Sequence, residues 1–262
     1  MSENKKENNR NSISCVIATH NRDELLKEAI HSVINQTFPP IEIIVVNDLP
    51  NEHTKKVVEE LIKQTQITIN YLEHNMKGKG SISYNLGASK VRGEFIAFLN
   101  DDDLWEVDYL KKMSILIKEK NSKICYSGTS KIKNGQKSPH KQLEDNLEMK
   151  DFLLRNPGCQ QSNLVVNKDL YISLGGFDDY IIPSIDKDFL IRALYFGYNY
   201  NVLKERLVIQ NKHSGDQLTD INKEFLTGMK KFFKKHEWLA GPILRIKFWI
   251  KYWRAYIKIL IN

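Results

Sequence analysis

Glu94-Phe95-Ile96-Ala97-Phe98-Leu99-Asn100-Asp101-Asp102-Asp103-Leu104-Trp105 carries an apolar run of strand character straight into three consecutive carboxylates, with an aromatic two residues later. Adjacent like charges repel unless solvent or a cation relieves them, so a carboxylate cluster at a strand end suggests a site for a hard metal ion. The competing reading is a solvated acidic turn of the kind common where loops reach water.

Upstream, residues 13–18 form a compact apolar strand. Thr19-His20-Asn21-Arg22-Asp23 then supplies capping residues to a helix whose apolar positions Leu25, Leu26, Ala29, Ile30, Val33 and Ile34 recur at three and four. Pro39 and Pro40 stop it. Residues 41–46 read as a second buried strand ending in Asn47-Asp48-Leu49-Pro50, followed by a helix over 52–63 and a third strand over 67–72. This alternation, with near-continuous apolar strands, predicts an α/β fold built on a mostly parallel sheet with helices on both faces. In such sheets ligands collect at the carboxyl ends of the strands. Polar clusters fall at those ends: Thr19 and His20, Asp48, the segment 75–81, and Asp101 to Asp103.

The segment His74-Asn75-Met76-Lys77-Gly78-Lys79-Gly80-Ser81 is a basic glycine-containing loop before a helix carrying Ser83, Asn85 and Gly87. It lacks the earlier glycine of a phosphate-cradling P-loop, and the chain has no GxGxxG fingerprint. Downstream, a helix is expected over 107–119, a strand over 124–127, a long irregular loop over 131–146 and a strand over 159–166. Gly175-Gly176-Phe177-Asp178-Asp179 makes a turn. Asp186 and Asp188 fall in the first turn of a helix opening at Ile185, where the helix dipole alone would favour an acid. A last strand or hairpin over 199–210 ends near His213.

A chain of 262 residues can bury a full core as one large domain, or as one domain with an appendage. Its 41% hydrophobic and 27% charged content is that of an ordinary globular protein. Cys15, Cys125 and Cys159 are widely separated, odd in number and in no metal-ligand spacing, which favours a reducing cytoplasm over secretion. The polar start of the chain is expected to be a disordered tail over 1–12, with no signal peptide or membrane span. The net charge of +7 is uneven: residues 222–262 hold ten Lys and Arg against two Asp and Glu, which leaves 29 basic and 30 acidic residues in 1–221. A nearly neutral body argues against a nucleic acid partner, whose phosphates would need a basic surface.

Taken in order, the motifs resemble those of the inverting family 2 glycosyltransferases of the GT-A fold. These are Val16-Ile17-Ala18-Thr19-His20-Asn21-Arg22, Val45-Val46-Asn47-Asp48, Gly93 through Trp105, Gly175-Gly176-Phe177-Asp178 and Asp186-Lys187-Asp188. The resemblance covers roughly residues 13–219. It implies a GT-A nucleotide-binding sheet over 13–220, a nucleotide-sugar donor with a UDP-sugar favoured, and hexosyl or N-acetylhexosaminyl transfer to a hydroxyl of a glycan, lipid-linked or other acceptor. It implies that Thr19 and His20 line the base pocket, that Asp48 accepts a hydrogen bond from the base, and that Asp101 holds the ribose. Lys77, Lys79 and Asn85 would assist at the phosphates. Asp102 would bind the divalent cation, Mn2+ or Mg2+, with His213 as a further ligand, and Asp186 would be the catalytic base. Three positions depart from the family pattern: Leu49-Pro50 follows Asp48 where Gly-Ser is usual, Asn100 replaces an aspartate, and Ile185 replaces the acid before Asp186. Two other readings stay open. A sugar-phosphate nucleotidyltransferase has a similar sheet, but it needs a glycine-rich loop that Thr19-His20-Asn21-Arg22 does not supply. A nucleotide-sugar-binding module without turnover is kept alive by Asn100 and Ile185.

The last segment, 221–262, is expected to be a basic amphipathic helical extension. Lys247, Lys251, Arg254 and Lys258 recur at four, three and four, so they share one helical face, while Ile246, Trp249, Ile250, Trp253, Ile257, Leu260 and Ile261 occupy much of the remainder. That is the pattern of a helix lying on an anionic membrane, which would put a cytoplasmic enzyme at the inner face of the membrane. It is equally the pattern of a helix packed on the catalytic domain or on another copy in an oligomer. Interrupted by charges, it cannot span a bilayer.

Overall fold

The computed structural model describes residues 11–76, 80–133, 135–211 and 222–261. The first half alternates strand and helix: β1 (Ile13–Thr19), α1 (Asp23–Ile34), β2 (Glu42–Asn47), α2 (Glu52–Ile62), β3 (Thr68–Glu73), α3 (Gly80–Ala88) and β4 (Phe95–Asn100). These four strands are parallel, with β1 between β2 and β4 and with β3 outside β2. The register pairs Thr19 with Asn47 and Ala18 with Asn100, so the polar residues that close the strands emerge on one edge.

The second half supplies β5 (Asp103–Trp105), α4 (Tyr109–Lys120), β6 (Ile124–Lys133), β7 (Gln136–Pro139), β8 (Leu164–Asn167), α5 (Lys168–Ser173), α6 (Ile185–Tyr195), β9 (Asn201–Asn211), α7 (Lys223–His236) and α8 (Pro242–Ile261). The sheet runs β3-β2-β1-β4-β8-β6-β9-β5, with β7 hanging on β6. It turns antiparallel at β8, which pairs with both β4 and β6.

Side chains alternate across the sheet with period two. Ile13, Cys15 and Ile17 of β1 join α1, α2 and α4 through Leu26, Ile30, Val58, Leu61, Leu110 and Met113. Val16 packs on the other face with Tyr84 of α3, Tyr171 of α5, Phe189 of α6, Phe232 of α7 and Phe248 of α8. Gly87 lets α3 lie close to the sheet, since a Cβ there would stand 2.4 Å from Val16 Cγ1. The C-terminal helices share this core. Phe233 of α7 and Phe248 of α8 stack at 3.7 Å between ring centroids.

Two local expectations are corrected. The irregular loop over 131–146 is instead partly a hairpin: β6 runs on to Lys133 and returns through β7. The polar sequence hides this because the strand is held by β9, whose Arg206 to Asn211 pair with Gly128 to Ile132 from far along the chain. The strand over 159–166 begins only at Leu164. Before it, a short 3-10 turn, Gln161–Asn163, lets Asn163 donate to the carbonyls of Ser127 and Gly158. The expected tail lies outside the described residues up to position 10.

Candidate active site

The strand-end residues interlock. Thr19 Oγ1 donates to Asp101 Oδ2 at 2.8 Å, and the His20 backbone N–H donates to the same oxygen at 3.1 Å. His20 Nδ1 lies 2.5 Å from Asp48 Oδ1, which ties the end of β1 to the end of β2. Arg22 adds a guanidinium, with Nη1 2.8 Å from Asp102 Oδ2 and Nη2 3.4 Å from Asp101 Oδ1. Thr19, His20, Asp48, Asp101 and Asp102 are therefore brought together. Arg22 is the member that sequence reading passed over as a capping residue, although its position beside Thr19 and His20 was a usable signal.

Burial divides the acidic triplet. Asp101 and Asp103 are buried, while Asp102 is half-buried. Burial pushes Asp101 up to about 6 against the pull of Arg22, and burial with the neighbouring Asp102 raises Asp103. Asp103 Oδ2 accepts from Ser162 Oγ at 2.5 Å and from Asn100 Nδ2 at 2.9 Å. Asn100 in turn accepts from Tyr84 OH at 2.5 Å. This gives Asn100 a physical reason, because an ionised aspartate there could not donate to Asp103 and would set another negative charge against two buried carboxyls.

Asp186 stands in the first turn of α6, buried at 7% exposure. Its Oδ2 accepts from Asn156 Nδ2 at 2.6 Å and its Oδ1 from the Lys187 backbone N–H at 2.8 Å. Burial raises it to about 6, opposed chiefly by the Lys187 charge. The segment from Asn156 to Asn163 links it to the acidic turn. At one end of this segment Ser162 holds Asp103, and at the other Asn156 holds Asp186. No sequence pattern marked Asn156 or Ser162.

Asn85 departs from its expected place at the phosphates. Its Nδ2 donates to Phe177 O and Asp179 Oδ1, and its Oδ1 accepts from Tyr171 OH and Phe177 N. All four of its hydrogen-bonding positions hold the Gly176 turn, leaving none for a ligand. Gly176 has φ +66, and a Cβ there would stand 2.3 Å from Asn85 Oδ1. Lys77, Lys79 and His213 lie outside the described residues. Asp188, two residues past Asp186, is anchored by Arg192 Nε at 2.8 Å, His236 Nε2 at 2.7 Å and Lys235 Nζ at 2.7 Å.

Among the described residues no group of three or more His, Cys, Asp or Glu is arranged to hold a metal. A cation here would find one protein carboxylate outside the buried pair, Asp102, which pairs with Arg22, and a small divalent ion commonly takes one or two carboxylates with the rest of its ligands from phosphate and water.

A sequence model of glycosyl transferase family 2 matches residues 14–172. Over 119 residues the chain is 27% identical to a putative teichuronic acid biosynthesis glycosyltransferase, TuaG, of Bacillus subtilis, covering 45% of this chain and 46% of that protein. Over 91 residues it is 40% identical to a GalNAc(5)-diNAcBac-PP-undecaprenol beta-1,3-glucosyltransferase of Campylobacter jejuni, covering 35% of this chain and 29% of that one. The chain thus matches less than half the length of either relative. Among solved structures, S. aureus TarS 1-349 in complex with UDP-GlcNAc superposes with a TM-score of 0.71 at 18% identity, over 86% of this chain and 66% of that one. That likeness establishes the GT-A fold.

Proposed function

Since the chain belongs to glycosyl transferase family 2, we propose that it is an inverting enzyme that moves a sugar from a nucleotide-diphosphate sugar, a UDP-sugar favoured, to a hydroxyl acceptor in surface-glycan synthesis. The observation that carries the reading is Asp186: a carboxylate fixed by Asn156, raised to about 6 by burial, and joined through the 156–163 segment to the strand-end cluster. A base of that strength is ionised at neutral pH and still basic enough to accept a proton. It would take the proton of the acceptor hydroxyl as that oxygen bonds to the anomeric carbon and the nucleoside diphosphate leaves from the opposite face.

In this reading the base lies against His20 and Asp48 and the ribose near the Asp101 turn. Asp101 is itself buried beneath Thr19 and His20, so it orients that edge as much as it contacts ligand. Arg22 and Asp102 face the diphosphate. A divalent cation held by Asp102 would neutralise charge developing on the leaving group. Arg22, released from Asp102, is a second source of positive charge there. The relatives' names favour polymer or lipid-diphosphate acceptors in glycan assembly.

Calorimetry with UDP, GDP, CDP and dTDP, with and without Mn2+, tests the donor side. UDP is expected to bind best, in a metal-dependent way, and Asp102→Asn to weaken it by about tenfold or more, about 1.4 kcal/mol. Metal-independent binding of equal strength in the variant would remove Asp102 from the metal role. Binding of a nucleoside triphosphate with pyrophosphate release would favour the nucleotidyltransferase reading.

A membrane-surface location has its own support in α8. Leu244, Phe248, Tyr252, Ala255 and Ile259 pack inward, yet the opposite side exposes Ile246, Trp249, Ile250, Trp253, Ile257 and Leu260. Trp253 is 54% and Leu260 68% exposed. Arg254, Lys247 and Lys258 border this face, and no acid occurs after Glu237. A second copy would offer no carboxylate from the same helix, whereas an anionic bilayer complements the charge and accepts the indoles. No described helix is long and apolar enough to cross a membrane.

A further inference from the structure

Lysines crowd the proposed base without an acid to balance them. Lys187 is only 9% exposed, and its Nζ lies 4.0 Å from the Phe232 ring centroid. Lys251 reaches in from α8 to donate to the carbonyl of Leu154, two residues before the Asn156 that holds Asp186. Lys141 leads out of the β6-β7 hairpin and acts electrostatically on Asp186, Lys187 and Lys251 alike. Among the described residues no carboxylate forms an ion pair with any of the three; Asp186 is the acid that acts on Lys187 from nearby. The contrast with Asp188 is instructive, because there Arg192, Lys235 and His236 all meet one buried carboxylate. Lys187 and Lys141 act on Asp186 while Lys251 acts on Lys187, and the buried Lys187 has an aromatic face where a paired carboxylate would stand.

An unpaired buried ammonium is costly, and the cost shows in Lys187, which burial lowers to about 8 with Lys251 and Lys141 adding to the effect. A chain selected for stability alone would place a methionine there. The excess charge has a use if an anion enters beside the base.

The geometry points to an anion subsite formed by Lys187, Lys141 and Lys251 that takes a phosphate or diphosphate group of the acceptor and so places the acceptor hydroxyl at Asp186. This deepens the proposed function and rests on its reading of Asp186 as the base. A phosphate supplies the acceptor oxygens that the Lys187 and Lys141 ammonium groups lack among the described residues. It also makes the subsite selective, since a neutral glycan would leave Lys187 unpaired.

The test uses the full chain saturated with UDP and Mn2+, so that the donor diphosphate site is filled. Glycerol 3-phosphate represents a polyol phosphate and geranyl diphosphate a lipid diphosphate, with glycerol and geraniol as neutral controls. At least one phosphorylated probe is expected to bind while its neutral counterpart does not, and the probe that binds identifies the source. The Lys187 side-chain NMR resonance should titrate near 8 and move upward when that probe is added. Lys187→Met should weaken the probe by about tenfold with UDP affinity unchanged and thermal stability equal or higher. Lys141→Gln, at a half-buried position, should weaken it in the same direction. Equal binding of charged and neutral probes, or undiminished binding in both variants, overturns the subsite. Failure of the parent protein to bind UDP would instead defeat the UDP-sugar reading of the donor site, so the two failures are distinct.

Discussion

Asp186 must be ionised to accept a proton, and burial holds its carboxyl at about 6. The transfer rate is therefore expected to fall as pH drops through about 6, because the protonated form, which burial favours, cannot act as a base. Asp186→Asn keeps the shape and the Asn156 contact but removes the basicity. It should leave UDP binding intact and lower transfer by roughly 10²–10⁴-fold. Undiminished transfer by that variant, or an acid limb that the substitution does not abolish, would remove Asp186 from the role. Asp186 is named as the candidate base through the family resemblance that Asp186-Lys187-Asp188 behind Gly175-Gly176-Phe177 carries. Its raised pKa was not legible in the sequence, because Asn156 and the burying core come from segments that no local pattern connects to it.

At the scale of elements, α8 shows how far periodicity reaches. The basic row of Lys247, Lys251, Arg254 and Lys258 was readable from spacing, as was the wealth of Trp and Ile. Spacing does not say which apolar residues meet the protein. The structure sends Phe248 and Ala255 inward and leaves Trp253 and Ile257 out. Trp253→Ser with Ile257→Ser is accordingly expected to reduce co-sedimentation with phosphatidylglycerol vesicles by about tenfold, with little change in melting temperature. Phosphatidylcholine vesicles should bind weakly in either case. Equal partition of parent and variant would remove lipid as the occupant of this face, and a variant-sensitive dimer without vesicle binding would assign the face to a second copy. The hairpin of β6 and β7 teaches the opposite lesson: its residues look like loop because β9 supplies the order.

At the scale of the molecule, Asp188 joins α7 to α6. Buried in α6, it would be raised by burial alone, but His236, Arg192 and Lys235 hold it down at about 2. A carboxylate depressed in the folded state stabilises above its unfolded value near 4, and that contribution is lost as pH falls toward 2. The shift corresponds to about 2 kcal/mol. Asp188→Asn is expected to cost about 3 kcal/mol at neutral pH, since it takes the counter-charge from Arg192 and Lys235 at a buried position. It should also flatten the loss of stability between pH 4 and pH 2 in denaturant titrations. A variant with the parent's stability and acid sensitivity would show that α7 is held by its apolar face alone.

The sequence by itself determined the parallel half of the sheet, the edge at which the polar strand-end residues gather, and the order of the family's motifs. Those properties are local: strand burial follows from runs of apolar residues, and a parallel strand-helix repeat puts every strand's carboxyl end on the same side. Tertiary structure decided the rest. It set Arg22 between Asp101 and Asp102, gave Asn100 and Asp103 their shared role under Tyr84 and Ser162, withdrew Asn85 into the Gly176 turn, and gathered three lysines around Asp186. Hydrogen bonds and charge interactions depend on distance in space, and these partners come from segments as much as 94 residues apart. The acidic run that closes β4 is thus, in its structural setting, neither a bare acidic turn nor a ready-made metal cage. It presents one half-buried carboxylate, Asp102, paired with Arg22 and flanked by two buried ones.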